Sequence, residues 1–121
     1  MARILFVDDD PFTLETLTKA VEVFGHQALL ADNGTTGFEL AVGQAPDLIF
    51  TDMRLPDMDG LAFVQKLQTH PQTKIIPVLV LSASPVLDAI EMAKAAGAKD
   101  YINKPIRLQA LLDIIQKYTA P

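Results

Sequence analysis

Short, wholly apolar runs alternate along this chain with stretches in which apolar residues return every three or four positions. Ile4 to Val7 is the first run, unbroken by polar residues, as in a strand buried on both faces. Asp8-Asp9-Asp10 ends it, and Pro11 suits the first position of a helix capped by Asp10. Leu14, Leu17, Val21 and Phe24 then recur at helical spacing, with Gly25 placed to terminate them. Gln27 to Ala31 reads as a second, weaker strand. A helix is predicted from about Thr35 to Val42, with Phe38 and Ala41 inward and Gly43 as its stop. The third strand runs from about Leu48 to Thr51 and its helix ends near Thr69, before a His70-Pro71-Gln72-Thr73 loop. Val78 to Leu81 is the fourth strand. Ser84-Pro85 repeats the cap-then-proline start, Val86, Ala89, Ile90 and Ala93 form the stripe, and Gly97 closes it. Asp100-Tyr101-Ile102 is a brief fifth strand, and Leu108, Leu111, Leu112 and Ile115 mark a last helix. Five strands alternating with five helices imply an α/β protein with a parallel sheet, covered on both faces through right-handed crossovers. Strand order does not follow from the pattern.

Length and composition narrow the function classes. A chain of 121 residues has room for one domain, taken as 1–121. It has no cysteine, which removes disulfides, thiolate metal sites and cysteine nucleophiles and fits a reducing compartment. The formal net charge is −5, and no basic stripe is present to hold DNA or RNA. The apolar run from Ile75 to Leu81 is broken by Pro77 and too short to cross a membrane. The N-terminus is no signal peptide. The expected location is the cytoplasm.

Candidate chemistry is organised around the stretch from Asp47 to Gly60. Its apolar run reaches Asp52 and breaks at Leu55-Pro56, because the residue before a proline is pushed away from helix. Asp59 then stands where a cap would, ahead of Leu61, Val64 and Leu67. Asp52 therefore ends a strand, at the edge where open α/β sheets hold their ligands. Asp8 and Asp9 end strand one, Ser82 ends strand four, and Lys104 lies just past strand five. Each has a bland reading when taken singly: a capping cluster, a turn serine, a surface lysine. Together, four independent loops aim carboxylates, a hydroxyl and an ammonium at one region.

Two carboxylates about 4 Å apart repel by roughly 4 kcal/mol at an effective dielectric near 20. Three of them take up protons or recruit a cation. Oxygen ligands without His or Cys suit a hard ion, and Mg²⁺ is held by one or two carboxylates while leaving room for a phosphoryl oxygen. Aspartate is an acceptor of such groups, forming an aspartyl phosphate. Lys104 and the Ser82 hydroxyl are then placed to hold the remaining phosphoryl oxygens, and the small Ala83 leaves access open.

These residues resemble the receiver domain of two-component response regulators. The resemblance covers the chain from Ile4 to about Tyr118. It is carried by Val7-Asp8-Asp9-Asp10-Pro11, by Asp52-Met53-Arg54-Leu55-Pro56-Asp57-Met58-Asp59-Gly60, by Leu81-Ser82-Ala83, by Gly97-Ala98-Lys99-Asp100-Tyr101 and by Lys104-Pro105. Spacing belongs to the match: 82 − 52 = 30 and 104 − 52 = 52. The resemblance implies a flavodoxin-like, doubly wound five-stranded sheet in the order 2-1-3-4-5 with five helices. It implies Asp52 as phosphoryl acceptor, and Asp9, Asp52 and the Arg54 backbone carbonyl as Mg²⁺ ligands, with Asp8 acting largely through metal-bound water and Mn²⁺ as a substitute ion. Ser82 becomes the switch hydroxyl, Ala83 its neighbour at the phosphoryl group, Tyr101 the switch aromatic and Lys104 the phosphoryl clamp, with a cis peptide between Lys104 and Pro105. Asp10 matches a tolerant third acid and reads as a cap.

The implied partners are a sensor histidine kinase or histidine phosphotransfer domain, and a downstream protein or output domain docking on helix four, strand five and helix five. Lys94 and Lys99 are ordinary surface charges or part of that face. The expected protein is a monomer that can dimerise when phosphorylated, binds neither nucleic acid nor membrane, and is no enzyme beyond its own phosphorylation and dephosphorylation. Departures are few: Ser82 stands where threonine is commoner, and Arg54 occupies a variable position linked to phosphoryl lifetime. Asp8-Asp9-Asp10 also contains the Asp-x-Asp core of haloacid-dehalogenase-type phosphatases, but Phe12 stands where their motif needs Thr or Val. A flavodoxin would not place three acids against a phosphate. A receiver-like module that is never phosphorylated would not keep all the chemical residues. His26 and His70 read as solvated loop residues.

Overall fold

The computed structural model describes residues 1–83 and 87–120. Among them, strands and helices alternate as β1 (Arg3–Val7), α1 (Pro11–Val23), β2 (Gln27–Ala31), α2 (Gly34–Gln44), β3 (Leu48–Thr51), α3 (Gly60–Thr69), β4 (Val78–Ser82), α4 (Leu87–Ala96), β5 (Asp100–Asn103) and α5 (Leu108–Thr119). The strands form one sheet, all parallel, in the order β2-β1-β3-β4-β5. The Ser84-Pro85 helix start and Val86 lie outside the described residues.

Alternation along the strands divides the core in two. Leu5, Val7, Ile49, Val78 and Val80 point to one face, where they meet Ala41 of α2, Phe63, Val64 and Leu67 of α3 and Ala93 of α4. Ile4, Phe6, Leu48, Phe50, Leu79 and Leu81 point to the other, against Leu14, Leu17 and Val21 of α1 and Leu111 and Ile115 of α5. Both faces are therefore dry, and this is why β1, β3 and β4 read as unbroken apolar runs. Phe6 and Phe50, neighbours in register, stack with ring centroids 5.4 Å apart.

Local chemistry explains most element ends. Asp10 caps α1, accepting from the Phe12 amide at 3.1 Å, with Pro11 at the first helical position. Asp59 caps α3 by accepting from the Leu61 amide at 2.7 Å. Gly25 and Gly97 take φ of 84° and 117° just past α1 and α4, a region that side chains disfavour. One expectation needs correction. Gly43 does not stop α2: nothing lies within 4 Å of a Cβ built there, and the helix runs on to Gln44. It ends where Ala45 adopts φ 46°, followed by Pro46, which has no amide hydrogen to extend the ladder. Phe24 is the half-exposed C-cap residue of α1, and Leu108, also half exposed, opens α5.

Candidate functional site

Register brings the chemistry together. Val7 pairs with Thr51, Thr51 with Val80, and Ser82 with Asn103. The residues that follow these positions leave the sheet at one edge. Backbone bonds carry the ladder one step further: the Asp52 amide donates to the Val7 carbonyl at 3.0 Å, the Asp8 amide to Ala31 at 3.0 Å, and the Lys104 amide to Ser82 at 2.9 Å. Asp8, Asp52 and Lys104 thus issue from hydrogen-bonded backbone, not from loose loops.

Asp8, Asp9 and Asp52 each offer a carboxylate oxygen within 4.8 Å of the others. Asp8 is buried, Asp52 half-buried and Asp9 exposed, so the cluster opens to solvent on the Asp9 side. The Asp8 carboxylate also accepts from the Asp10 amide through Oδ1 at 2.9 Å. Asp52 Oδ1 accepts from the Met53 amide at 2.7 Å. The Lys104 ammonium donates to Asp8 Oδ2 and lies 3.5 Å from Asp52 Oδ2. Burial alone would pull the Lys104 ammonium down, but the hydrogen bond and charge of Asp8, followed by the charge of Asp52, outweigh it and hold the group above the ordinary lysine range.

Three carboxylates and one ammonium leave a local charge of −3 + 1 = −2. An oxygen-only, doubly negative, half-open cluster fits a hard divalent cation, and Mg²⁺ in particular, which keeps waters and open positions. Ser82 and Tyr101 are both buried, on neighbouring strands, with Tyr101 in the core beneath α4. Ala83 is exposed beside Ser82. The Lys104–Pro105 peptide is cis. Arg54 lies in the loop after Asp52, side chain exposed and backbone bridged to Asp59.

That loop, from Met53 to Asp59, contains the feature that sequence reasoning missed. Asp57 reaches α2, where its carboxylate accepts from the amides of Gly34 at 2.7 Å and Thr35 at 2.9 Å and from the Thr35 hydroxyl at 2.6 Å. The Thr35 hydroxyl, then the two amides, hold its pKa down to about 2. The histidines also have partners: His26 Nδ1 accepts from the Ala2 amide at 3.0 Å, and His70 meets the Phe38 ring edge-on.

Comparison with known proteins bears on this arrangement. The response regulator receiver domain family matches residues 4–116. Protein PilH of Pseudomonas aeruginosa is 36% identical over 120 residues, spanning 99% of both chains. A response regulator structure from Chloroflexus aurantiacus superposes with a TM-score of 0.92 at 30% identity, covering 99% of this chain and 98% of that one. The receiver domain of a sensor histidine kinase from Pseudomonas aeruginosa, solved with a magnesium ion coordinated in its active-site cleft, superposes with a TM-score of 0.91 at 26% identity, covering 99% and 98% of the two chains.

Proposed function

The chain belongs to the response regulator receiver domain family, and from that premise we propose that Asp52 is its phosphoryl acceptor, at a Mg²⁺ site held by Asp8, Asp9 and Asp52. Phosphorylation and the switching of partners are general to the family. The observation that carries the assignment to these residues is the charge at the strand ends: three carboxylates against one lysine, with Asp52 half-buried and not sealed.

Each group then has a task. An oxygen of Asp52 forms a bond to phosphorus while the bond from phosphorus to a donor's histidine nitrogen breaks. The imidazole leaves with that electron pair and is protonated. Mg²⁺, when bound, neutralises the transferring group and orients its oxygens. Asp9 and Asp52 would hold the ion, with the Arg54 carbonyl as a further ligand and Asp8 acting largely through water. Mn²⁺ is an acceptable substitute, since the donor set is all oxygen. Lys104, already 3.5 Å from Asp52 Oδ2, contacts a phosphoryl oxygen on that side. Ser82, with Ala83 beside it, binds another when its loop moves inward, and Tyr101 answers that movement.

The donor is a sensor histidine kinase or a histidine phosphotransfer domain. A groove of about 340 Å³ opens next to Lys104, between α1 and the Pro105-Ile106 turn, with Phe12 projecting at its rim. The response is read by a downstream protein or output domain on the α4, β5 and α5 face, or by dimerisation through it. In this reading residues 1–121 are a single receiver domain that acts in the cytoplasm and catalyses only its own phosphorylation and dephosphorylation.

Intact-mass measurement after incubation with Mg²⁺ and acetyl phosphate tests the assignment. Wild type should gain one acid-labile phosphoryl group and Asp52→Asn none. Full labelling of Asp52→Asn would place the acceptor elsewhere, and turnover of a phosphomonoester without labelling would make the site a phosphatase.

A further inference from the structure

The β3–α3 loop is fastened at both ends by contacts that a solvated loop does not need. At its base, the Gly60 amide donates to the Met53 carbonyl at 2.7 Å, and a Cβ on residue 60 would stand 2.2 Å from the Asp52 carbonyl oxygen. Across its middle, the Leu55 amide donates to Met58 at 3.1 Å, and Arg54 bridges Asp59. At its tip, Asp57 takes three hydrogen bonds from Gly34 and Thr35, residues 23 and 22 positions earlier. Met58 follows it down and packs against Gly34, where a Cβ would lie 2.5 Å from the Met58 sulfur.

The first turn of α2 is capped by two side chains. The Asn33 side chain, the local cap, accepts from the Thr36 amide at 2.8 Å. Asp57 takes the Gly34 and Thr35 amides. The first-turn amides and the helix dipole both favour a carboxylate there. The helix is thereby a polar anchor for the exposed tip at Pro56 and Asp57, beside the apolar anchor that Leu55 makes in the core.

We propose that Asp57 is a positioning residue for the metal site: by tying the loop tip to α2, it holds the Met53–Gly60 backbone, and with it the Arg54 carbonyl, where a cation can use it. This rests on the Mg²⁺ reading above, in which that carbonyl is a ligand. Asp57 itself touches neither ion nor phosphoryl group. Partners that orient metal ligands typically matter by roughly tenfold or more in metal affinity.

The test separates holding the loop from merely stabilising α2. Asp57→Ala and Asn33→Ala each remove a cap from the same helix, but only the first releases the loop. Mg²⁺ affinity is measured by calorimetry, thermal stability by unfolding, and loop order by hydrogen exchange of the Leu55 and Gly60 amides without metal. Asp57→Ala should weaken Mg²⁺ binding roughly tenfold and speed exchange at Leu55 and Gly60. Thr35→Val, which removes one of the three donors, should do the same to a smaller extent. Asn33→Ala should lower stability and leave Mg²⁺ affinity unchanged. Wild-type affinity in Asp57→Ala, or equal loss in Asn33→Ala, would overturn the proposal. A wild-type protein with no Mg²⁺ response would sink the metal reading instead, while unchanged amide exchange in Asp57→Ala would sink the anchoring itself.

Discussion

Lys104 and Asp8 stand 96 residues apart in the chain and share a hydrogen-bonded ion pair at the end of the sheet. Asp8 is only 4% exposed, so removing its cation leaves a buried carboxylate beside two others. Lys104→Met should therefore lower stability by roughly 1.5–3 kcal/mol at neutral pH, as read by urea unfolding. Added Mg²⁺ should recover part of that loss, because the ion binds only the folded cluster. The lysine's folded pKa is raised above 10.5, so its contribution is complete below 10.5 and is lost as pH climbs through the higher folded value. The gap between wild type and variant should stay constant from neutral pH to about 10 and narrow only above it. The variant should still accept a phosphoryl group, more slowly, and signal poorly.

Asp9 is the exposed member of the acid cluster, and its loss should separate binding from folding. Asp9→Ala should change stability by no more than about 0.5 kcal/mol. Calorimetry should show its Mg²⁺ binding, expected in the micromolar-to-millimolar range for wild type, abolished along with that of Asp52→Ala. Wild-type affinity in both variants would remove the site.

Ser82 separates chemistry from response. Its side chain is buried at the end of β4, and its carbonyl is tied to the Lys104 amide. One charge-assisted hydrogen bond to a phosphoryl oxygen is worth about 1.5–3 kcal/mol, a population shift of roughly ten- to hundredfold. Ser82→Ala should take up phosphoryl, or beryllofluoride with Mg²⁺, nearly as wild type does. Partner affinity or dimerisation measured on the same sample should no longer rise. A full response in that variant would route the switch elsewhere.

Asp57 gives an acid-limb prediction. Its folded pKa is depressed from 3.8 to about 2, so its contribution is present above 3.8 and lost as pH falls toward 2. Thermal unfolding of wild type and Asp57→Asn should differ at pH 5 and converge between pH 4 and 2. A difference that persists unchanged to pH 2 would mean that the carboxylate's charge is not what α2 uses.

The strands and most helix ends were legible in the sequence because each has a local cause: an apolar run, a capping acid, a proline at the first turn. The cluster of Asp8, Asp52 and Lys104 was legible because each residue directly follows one of those runs. Strand order was not readable from periodicity, since pairing Val7 with both Ala31 and Thr51 is a non-local choice that no window of sequence encodes; it came through family resemblance. Gly43 misled for a related reason: a glycine that can end a helix need not, and Ala45-Pro46 ended this one. Asp57 was invisible as a cap because a carboxylate in a loop carries no mark of the helix it reaches.

The sheet order has a consequence for the chain's birth. β5 joins the outer edge of β4, and Lys104 arrives with it after β1, β3 and β4 have all been synthesised. Synthesis proceeds from the N-terminus at about 5–20 residues per second. For about one to four seconds at that rate, a nascent chain that has emerged through β4 carries Asp8, Asp9 and Asp52 without the lysine that offsets them. Their mutual repulsion then opposes closing the sheet edge until β5 docks or a cation intervenes. The last strand to be made is thus the one that brings the acidic end its counter-charge.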